Sequence, residues 1–416
     1  MRFTAVLLYL GLAVCQSALG QPSGFYLRDG DTVVFYGDSI TNQRIYTDFI
    51  EAYVLTRFPK LRLNFINSGF SGDRVAGGYG GNIDQRLQHD VFPYHPSVVT
   101  ILLGMNDGEY QPYDAGIFAK YCGGYRYLVE KLKATIPHLR LTLLEPSAYD
   151  DFTRPPEFPG GYNSVLIRFG QFVRRLARSE GAEDADLNAP VAALLRAANA
   201  ADPATAAHLI PDRVHPSAGV HMVMAASLLQ AWHAPSLVTS VEIDAASGTI
   251  AKADNTAVDS LDRKNGLRWT QTDLALPMPL DLPEEAIEIA LRYFPIEEAL
   301  NREMLEVRGL SAGRYRLRID EEDIGTFDAD QLAGGINLAA MKTPMSEQAQ
   351  VVLDLTHRHN NLHFARWRMV EDALKDYKLA KTRVVMEDLN ALEAEVIGQQ
   401  RFMATPRPHR YVLTAQ

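Results

Sequence analysis

The stretch Thr-Val-Val-Phe-Tyr-Gly-Asp-Ser-Ile, residues 32–40, decides the fold class of this chain of 416 residues. Its short apolar run, 32–36, is followed at once by a glycine turn, which is typical of a buried strand that ends in a sharp loop. Three more runs of this kind occur at 61–66, 97–103 and 139–144.

The segments between these runs have helical spacing. Apolar residues recur at four-residue steps at Ile45, Phe49 and Tyr53, and a second apolar face is formed by Leu166, Phe169, Val173 and Leu176. Strands that alternate with helices predict a doubly wound α/β sheet. Because sites in such sheets form at the carboxyl ends of the strands, we expect the chemistry in the polar segments that follow the first three strands.

The pattern changes after Trp232. Apolar residues alternate with arginines over 314–319, which predicts a strand with one buried face, and beyond Pro344 the apolar spacing becomes helical again. The chain is too long for one ordinary core. We therefore expect a catalytic region at 24–234 and an accessory region at 235–416 that combines β-sandwich-like strands with two long helices.

The amino terminus has the features of a secretory signal peptide. Arg2 precedes an apolar run, and small residues end at Gly20, so we expect a signal peptide over 1–20 and a secreted or periplasmic protein. Lipid anchoring through Cys15 is the less favoured alternative, because Val14 stands where a small residue would be expected.

Composition excludes several classes of partner. The formal charge is −10 and no basic cluster is present, which argues against nucleic acid or an anionic surface. No segment is apolar over a length that spans a bilayer, so no integral membrane span is expected. Cys122 alone remains in the mature chain, which rules out an internal disulfide. Nothing in the sequence indicates an oligomeric state.

Three residues form a candidate catalytic set. Ser39 lies in the turn after the first strand, and a base must remove its proton before its hydroxyl acts as a nucleophile. His215 has the side chain suited to a general base near neutral pH. Asp212 lies three residues before it, close enough in a tight loop to accept the other imidazole N–H and stabilise the imidazolium.

Two further segments offer donors for a negatively charged oxygen. In the segment 67–74, Gly72 has no Cβ and can present its backbone amide to a ligand. In the segment 104–108, the Asn106 side-chain amide is a strong donor when it is aimed at a carbonyl oxygen. Taken alone, each segment is equally an ordinary turn.

The four segments in this order resemble the SGNH hydrolase superfamily of GDSL-like lipases and esterases, which is named after Ser, Gly, Asn and His in four blocks. By that resemblance, Ser39 is the nucleophile, and its own amide joins Gly72 and Asn106 in the oxyanion hole. His215 is the base, and Asp212 orients it.

The resemblance covers about 24–233 and implies a flavodoxin-like three-layer α/β/α domain that transfers acyl groups without a metal or organic cofactor. Two positions depart from the family pattern. Ile40 replaces a leucine, a change of shape only, and Met105 stands where a small residue is frequent, which would narrow the acyl pocket.

Two other groups of residues have both a functional and a structural interpretation. The first group, three histidines, resembles a metal cluster, but arginines crowd it, which favours a packing or interdomain role. The second would suit a sugar-binding cleft but equally fits loop and core positions. The first group is His357, His359 and His363, and the second is Tyr149, Asp150, Asp151, Trp232 and His233.

The resemblance and the signal peptide together predict a secreted esterase for short acyl groups, with O-acetyl groups on carbohydrate as the leading substrate. Related alternatives are a GDSL-type lipase or thioesterase and an acyltransferase. An alternative of another class is a non-catalytic glycan-binding envelope protein, although such proteins usually lose a triad residue.

Overall fold

A computed structural model describes residues 24–280, 285–377 and 379–416. The expected signal peptide, with Cys15, lies outside these residues. No helix in the described ranges is long and apolar enough to cross a membrane.

A parallel sheet of five strands forms the first half of the chain. Its strands are β1 (Thr32–Gly37), β2 (Asn64–Gly69), β3 (Val98–Leu102), β4 (Arg140–Leu144) and β5 (Glu183–Ala185), in the order β2-β1-β3-β4-β5. This is the flavodoxin-like order of doubly wound proteins. All five residues of β3 are buried, which requires that helices cover both faces of the sheet.

Eight helices accompany this sheet. They are α1 (Ser39–Asn42), α2 (Ile45–Arg57), α3 (Ile83–Asp90), α4 (Ala115–Thr135), α5 (Gly161–Glu180), α6 (Ala189–Ala201), α7 (Pro203–Ala206) and α8 (Ala218–Ala231). Helix α2 packs against α8, and α4 packs against α5. The stacked rings of Tyr121 and Phe169, with centroids 4.1 Å apart, join α4 to α5. The predicted three-layer α/β/α architecture is confirmed.

The second strand lies three residues later than the sequence predicts, so that Asn67, Ser68 and Gly69 belong to β2 rather than to the loop after it. Polar side chains are tolerated at these buried positions because each has a hydrogen-bond partner. The Asn67 amide donates to the carbonyl oxygen of Thr41 at 2.8 Å, and the Ser68 hydroxyl donates to that of Asp90 at 2.6 Å.

The second half of the chain is rich in β-structure, as predicted. Its strands are β6 (Leu237–Asp244), β7 (Thr249–Asp254), β8 (Thr256–Asp262), β9 (Leu267–Asp273), β10 (Arg302–Arg308), β11 (Arg314–Ile319), β12 (Glu322–Asp328), β13 (Ile336–Asn337) and β14 (Pro408–Ala415). They form two sheets, in the orders β8-β9-β14-β11-β12 and β13-β10-β6-β7. Apolar residues of β11 are buried and its arginines exposed, as the period of two predicts.

Helices complete this half. They are α9 (Glu285–Tyr293), α10 (Ile296–Leu300), α11 (Ala329–Gly334), α12 (Pro344–Phe364) and α13 (Ala380–Met403), and a π-helical segment, Ala365–Asp372, extends α12. Helices α12 and α13 pack together, and α12 also packs on α2. Residues of α9 and α10 join the hydrophobic core of the first half.

A buried histidine joins the helices α2, α12 and α13. Nδ1 of His359 lies 2.9 Å from a carboxylate oxygen of Glu51, and Nε2 lies 3.3 Å from one of Glu393. Although burial lowers it, these carboxylates raise the pKa of His359 to about 10. The described residues contain no group of side chains that could hold a metal ion, and His359 acts in packing between the two halves.

We predict that His359→Gln destabilises the protein more at pH 6 than above pH 10. The folded-state pKa of His359, about 10, exceeds the ordinary value of about 6.5. The ion pairs therefore stabilise the fold fully below about pH 6.5 and lose their effect as the pH rises through 10. Breaking such a buried pair costs about 3 kcal/mol. Denaturant unfolding of wild type and variant at both pH values measures the difference.

The matched control is His89→Gln, on the exposed side of α3, which should leave the unfolding free energy nearly unchanged at both pH values. A loss for His359→Gln that stays constant or grows with pH would contradict the proposed charge on this histidine.

Candidate active site

Ser39 lies at the turn between β1 and α1. It is the first residue of α1, and the carboxylate of Asp38 caps this turn by accepting the Ile40 amide at 2.9 Å. Gly37 is required just before the turn, because a Cβ there would clash with the side chain of Thr41. The serine is thereby held at the carboxyl end of the central strand.

His215 and Asp212 lie in the loop before α8, and the structure brings both to Ser39. Nε2 of His215 is 2.8 Å from the Ser39 hydroxyl oxygen, and Nδ1 is 2.6 Å from a carboxylate oxygen of Asp212. A carboxylate at Nδ1 fixes the tautomer in which Nε2 accepts a proton. The three side chains thus form a continuous chain of hydrogen bonds from hydroxyl to carboxylate.

Asp212 holds its position through its other oxygen, which accepts the backbone amides of Val214 at 3.0 Å and His215 at 2.7 Å. Partial burial raises its pKa, but the hydrogen bonds from the backbone and the ring of His215 prevail, so that the pKa of Asp212 lies below its ordinary value. The carboxylate is therefore ionised at neutral pH and can stabilise a positively charged imidazole.

The loop that carries His215 is bonded to the segment 149–151. A sugar-binding cleft was one of the two interpretations of this segment. Arg213 has a left-handed backbone, with φ of 71°, and its guanidinium donates to the carbonyl oxygen of Asp150 at 2.9 Å. The amide of Asp150 donates back to the carbonyl oxygen of Arg213 at 3.0 Å. Asp150 and Trp232 are fully buried, so these two residues occupy loop and core positions.

The three expected oxyanion donors lie at the ends of adjacent strands. Ser39, Gly72 and Asn106 follow β1, β2 and β3, and β1 lies between the other two. In the described part of the chain, the backbone amides of Ser39 and Gly72 have no acceptor. Gly72 has a φ of 75°, in the left-handed region that glycine adopts without steric cost because it has no Cβ.

Asn106 is tied to the segment that contains Gly72. One hydrogen of its side-chain amide is donated to the carbonyl oxygen of Asp73 at 3.0 Å. The other hydrogen has no acceptor among the described residues. Three donor groups at the ends of adjacent strands therefore have no acceptor in the described part of the chain, as a site for a developing oxyanion requires.

Comparison with known proteins identifies the family of the first half of the chain. Residues 35–223 match the model of the GDSL-like Lipase/Acylhydrolase family. The chain contains a GDSL-like lipase/acylhydrolase domain. The resemblance to SGNH hydrolases is thereby confirmed, and the protein is an ester-hydrolysing enzyme.

The relatives differ in the share of this chain that they cover. An acetylxylan esterase from Geobacillus stearothermophilus is 24% identical over 223 residues, which are 48% of this chain and 93% of that protein. A solved structure of an acetyl xylan esterase from this organism is 23% identical, with a TM-score of 0.40, and covers 49% of this chain and 95% of its own. The structure of a gut microbial diltiazem-metabolizing enzyme is 27% identical, with a TM-score of 0.81, and covers 94% of this chain and 98% of its own.

Tyr110 is a residue of this esterase site that the sequence does not predict. Its hydroxyl donates to the side-chain oxygen of Asn106 at 2.8 Å, and burial raises the pKa of Tyr110 to about 12, so that the hydroxyl stays protonated at neutral pH. Glu109 and Tyr110 both have left-handed backbone, with φ of 57° and 54°. No sequence signal marks this conformation, which costs energy in residues other than glycine.

An ion network beneath the Gly72 segment was also missed. The buried Arg86 donates through Nε to a carboxylate oxygen of Asp73 at 2.9 Å, and it forms a second ion pair with Asp90. The indole of Trp367 donates to the other oxygen of Asp90 at 2.6 Å. A residue of the accessory region thereby joins the support of the site.

Proposed function

We propose that this enzyme hydrolyses short-chain acyl esters with Ser39 as nucleophile, His215 as general base and Asp212 as its partner. The observation that carries the proposal is the unbroken path from hydroxyl to imidazole to carboxylate, with distances of 2.8 Å and 2.6 Å. Two side chains from one loop and a serine 176 residues away meet in the arrangement that activates a serine.

The reaction begins when His215 Nε2 accepts the hydroxyl proton and Ser39 Oγ forms a bond to the ester carbonyl carbon. The tetrahedral intermediate collapses as the bond to the alcohol oxygen breaks, and the imidazolium gives that oxygen its proton. An acyl-enzyme and a free alcohol result. Water then loses a proton to His215 and attacks the acyl group, and the acid leaves as the serine regains its proton.

The negative charge of each tetrahedral intermediate lies on the former carbonyl oxygen. The backbone amides of Ser39 and Gly72 and the side-chain amide of Asn106 donate to it. Such a donor contributes about 2.7–4 kcal/mol to stabilisation of the transition state. Two hydrogen bonds fix the side-chain amide of Asn106. The Tyr110 hydroxyl donates to its oxygen, and one of its N–H hydrogens is donated to the carbonyl oxygen of Asp73.

The leading substrates are O-acetyl groups on carbohydrate. Similarity to an acetylxylan esterase supports this substrate class. The larger relative is a diltiazem-metabolizing enzyme, and because diltiazem carries an acetate ester, it is a second candidate substrate for the proposed reaction. The proposal includes export directed by residues 1–20, and separate roles for 24–234 in catalysis and 235–416 as an accessory region.

We predict that Ser39→Ala lowers ester hydrolysis to background without loss of folding. The assay compares purified wild type and variant on p-nitrophenyl acetate, p-nitrophenyl butyrate, acetylated xylan and diltiazem, with acetate release as the readout for the last two. Ser179→Ala, on the exposed side of α5, is the matched control and should retain wild-type activity.

Turnover of the acetate esters by wild type alone supports the serine mechanism, and the ratio of acetate to butyrate separates an acetylesterase from a lipase. An added alcohol that captures most of the acyl group would instead indicate an acyltransferase. Equal activity of wild type and Ser39→Ala, or glycan binding without turnover by either, would contradict the proposal.

We further predict that Tyr110→Phe lowers kcat about 5- to 10-fold and leaves KM within about twofold. The lost hydrogen bond is worth about 1 kcal/mol, and it orients a donor that acts mainly on the transition state. The matched control is Tyr113→Phe, since the described residues offer its hydroxyl no hydrogen-bond partner. An unchanged kcat for Tyr110→Phe would show that Asp73 alone suffices to orient Asn106.

A further inference from the structure

A glycine-rich hairpin carries an exposed aromatic ring beside the oxyanion segment. The residues Gly77-Gly78-Tyr79-Gly80-Gly81 form it, and Gly78 pairs with Gly81 across an antiparallel bridge. Tyr79 is 89% exposed. An aromatic side chain that is left in water at an active site gains free energy when a ligand covers it.

The hairpin is fastened to the segment that supplies Gly72. A Cβ on Gly78 would lie 2.6 Å from the carbonyl oxygen of Gly72, and a Cβ on Gly80 would lie 2.7 Å from the ring of Phe70. Side chains at either position would push the hairpin away. The glycines therefore let the backbone approach the oxyanion segment closely, and the ion pair of Arg86 with Asp73 holds that segment from below.

The ring of Tyr79 lies directly against Gly72. A Cβ on Gly72 would be 2.6 Å from Cδ2 and Cε2 of this ring, so the ring contacts the residue whose amide faces the oxyanion. With the carbonyl oxygen of the ester at the proposed oxyanion donor Gly72, the exposed ring of Tyr79 is a contact surface next to that donor.

We propose that Tyr79 is a specificity-determining residue that binds the ring of the alcohol portion of the ester by stacking. The assignment rests on the proposed esterase function of Ser39. An acetyl group offers a single methyl group and cannot cover a phenol ring, whereas the alcohol portion can. The shared chemistry of the ligand is a flat ring face, which a pyranose supplies through its C–H groups and an aryl alcohol through its π-system.

Apart from its contact with Gly72, Tyr79 contributes little to the packing of the fold. Its side chain is almost entirely in solvent, and its hydroxyl has no hydrogen-bond partner in the described part of the chain. Removal of the ring should therefore leave the fold intact. Tyrosine suits a binding role because it offers a large contact area with few rotatable bonds.

The test measures kcat and KM of wild type, Tyr79→Ala and Tyr79→Phe on three acetate esters. These are a mono-O-acetylated methyl xyloside, phenyl acetate and ethyl acetate, which has no ring. We expect Tyr79→Ala to raise KM about 5- to 10-fold on at least one ring-bearing ester and to leave kcat within about twofold. Tyr79→Phe should behave as wild type, and ethyl acetate should not distinguish the three proteins.

The pattern of losses identifies the ring. A KM effect on the xyloside alone assigns a pyranose, and one on phenyl acetate alone assigns an aryl alcohol. Unchanged KM on both, or an equal loss of activity on all three esters, overturns the proposal. If wild type hydrolyses none of the three, the proposed function itself fails, which is a separate outcome.

Discussion

One buried guanidinium organises the site. Arg86 is fully buried, and a charge in that position must be paired and hydrogen-bonded. Its partners are the carboxylates of Asp73 and Asp90 and the carbonyl oxygen of Ser68 at 2.8 Å. Loss of one partner from such a network costs about 3–5 kcal/mol. Because Asp73 directly follows Gly72, the energy that keeps Arg86 neutralised also fixes the position of the oxyanion segment.

The same network extends into the second half of the chain. The indole N–H of Trp367 donates a hydrogen bond to the carboxylate of Asp90. The guanidinium of Arg368 lies 3.5 Å from the ring centroid of Phe70, which adjoins the oxyanion segment. The Geobacillus acetylxylan esterase is matched over 93% of its length by only 48% of this chain. The diltiazem-metabolizing enzyme covers 94% of this chain with a TM-score of 0.81, so its structure is similar over both halves.

Sequence predicts those parts of the site that are local. Ser39 directly follows a strand, and Asp212 is three residues from His215, and these local features indicate a relay once the four segments are taken together with the family resemblance. Tyr110 depends on two left-handed residues that side-chain types do not signal, and Trp367 meets Asp90 across 277 positions. The shift of β2 has a related cause. In the sequence, the polar residues of β2 are typical of a loop. They can be buried in a strand because residues distant in the chain form hydrogen bonds with them.

The relay itself is open to solvent, and this openness has a consequence for the substrate. The side chains of Asp212 and His215 are 55% and 38% exposed, so solvent screens their charges, and short hydrogen bonds rather than burial hold them in place. The lowered pKa of Asp212 keeps its charge constant while the imidazole gains and loses a proton. A relay at the surface leaves its imidazole open to a ligand that approaches from solvent.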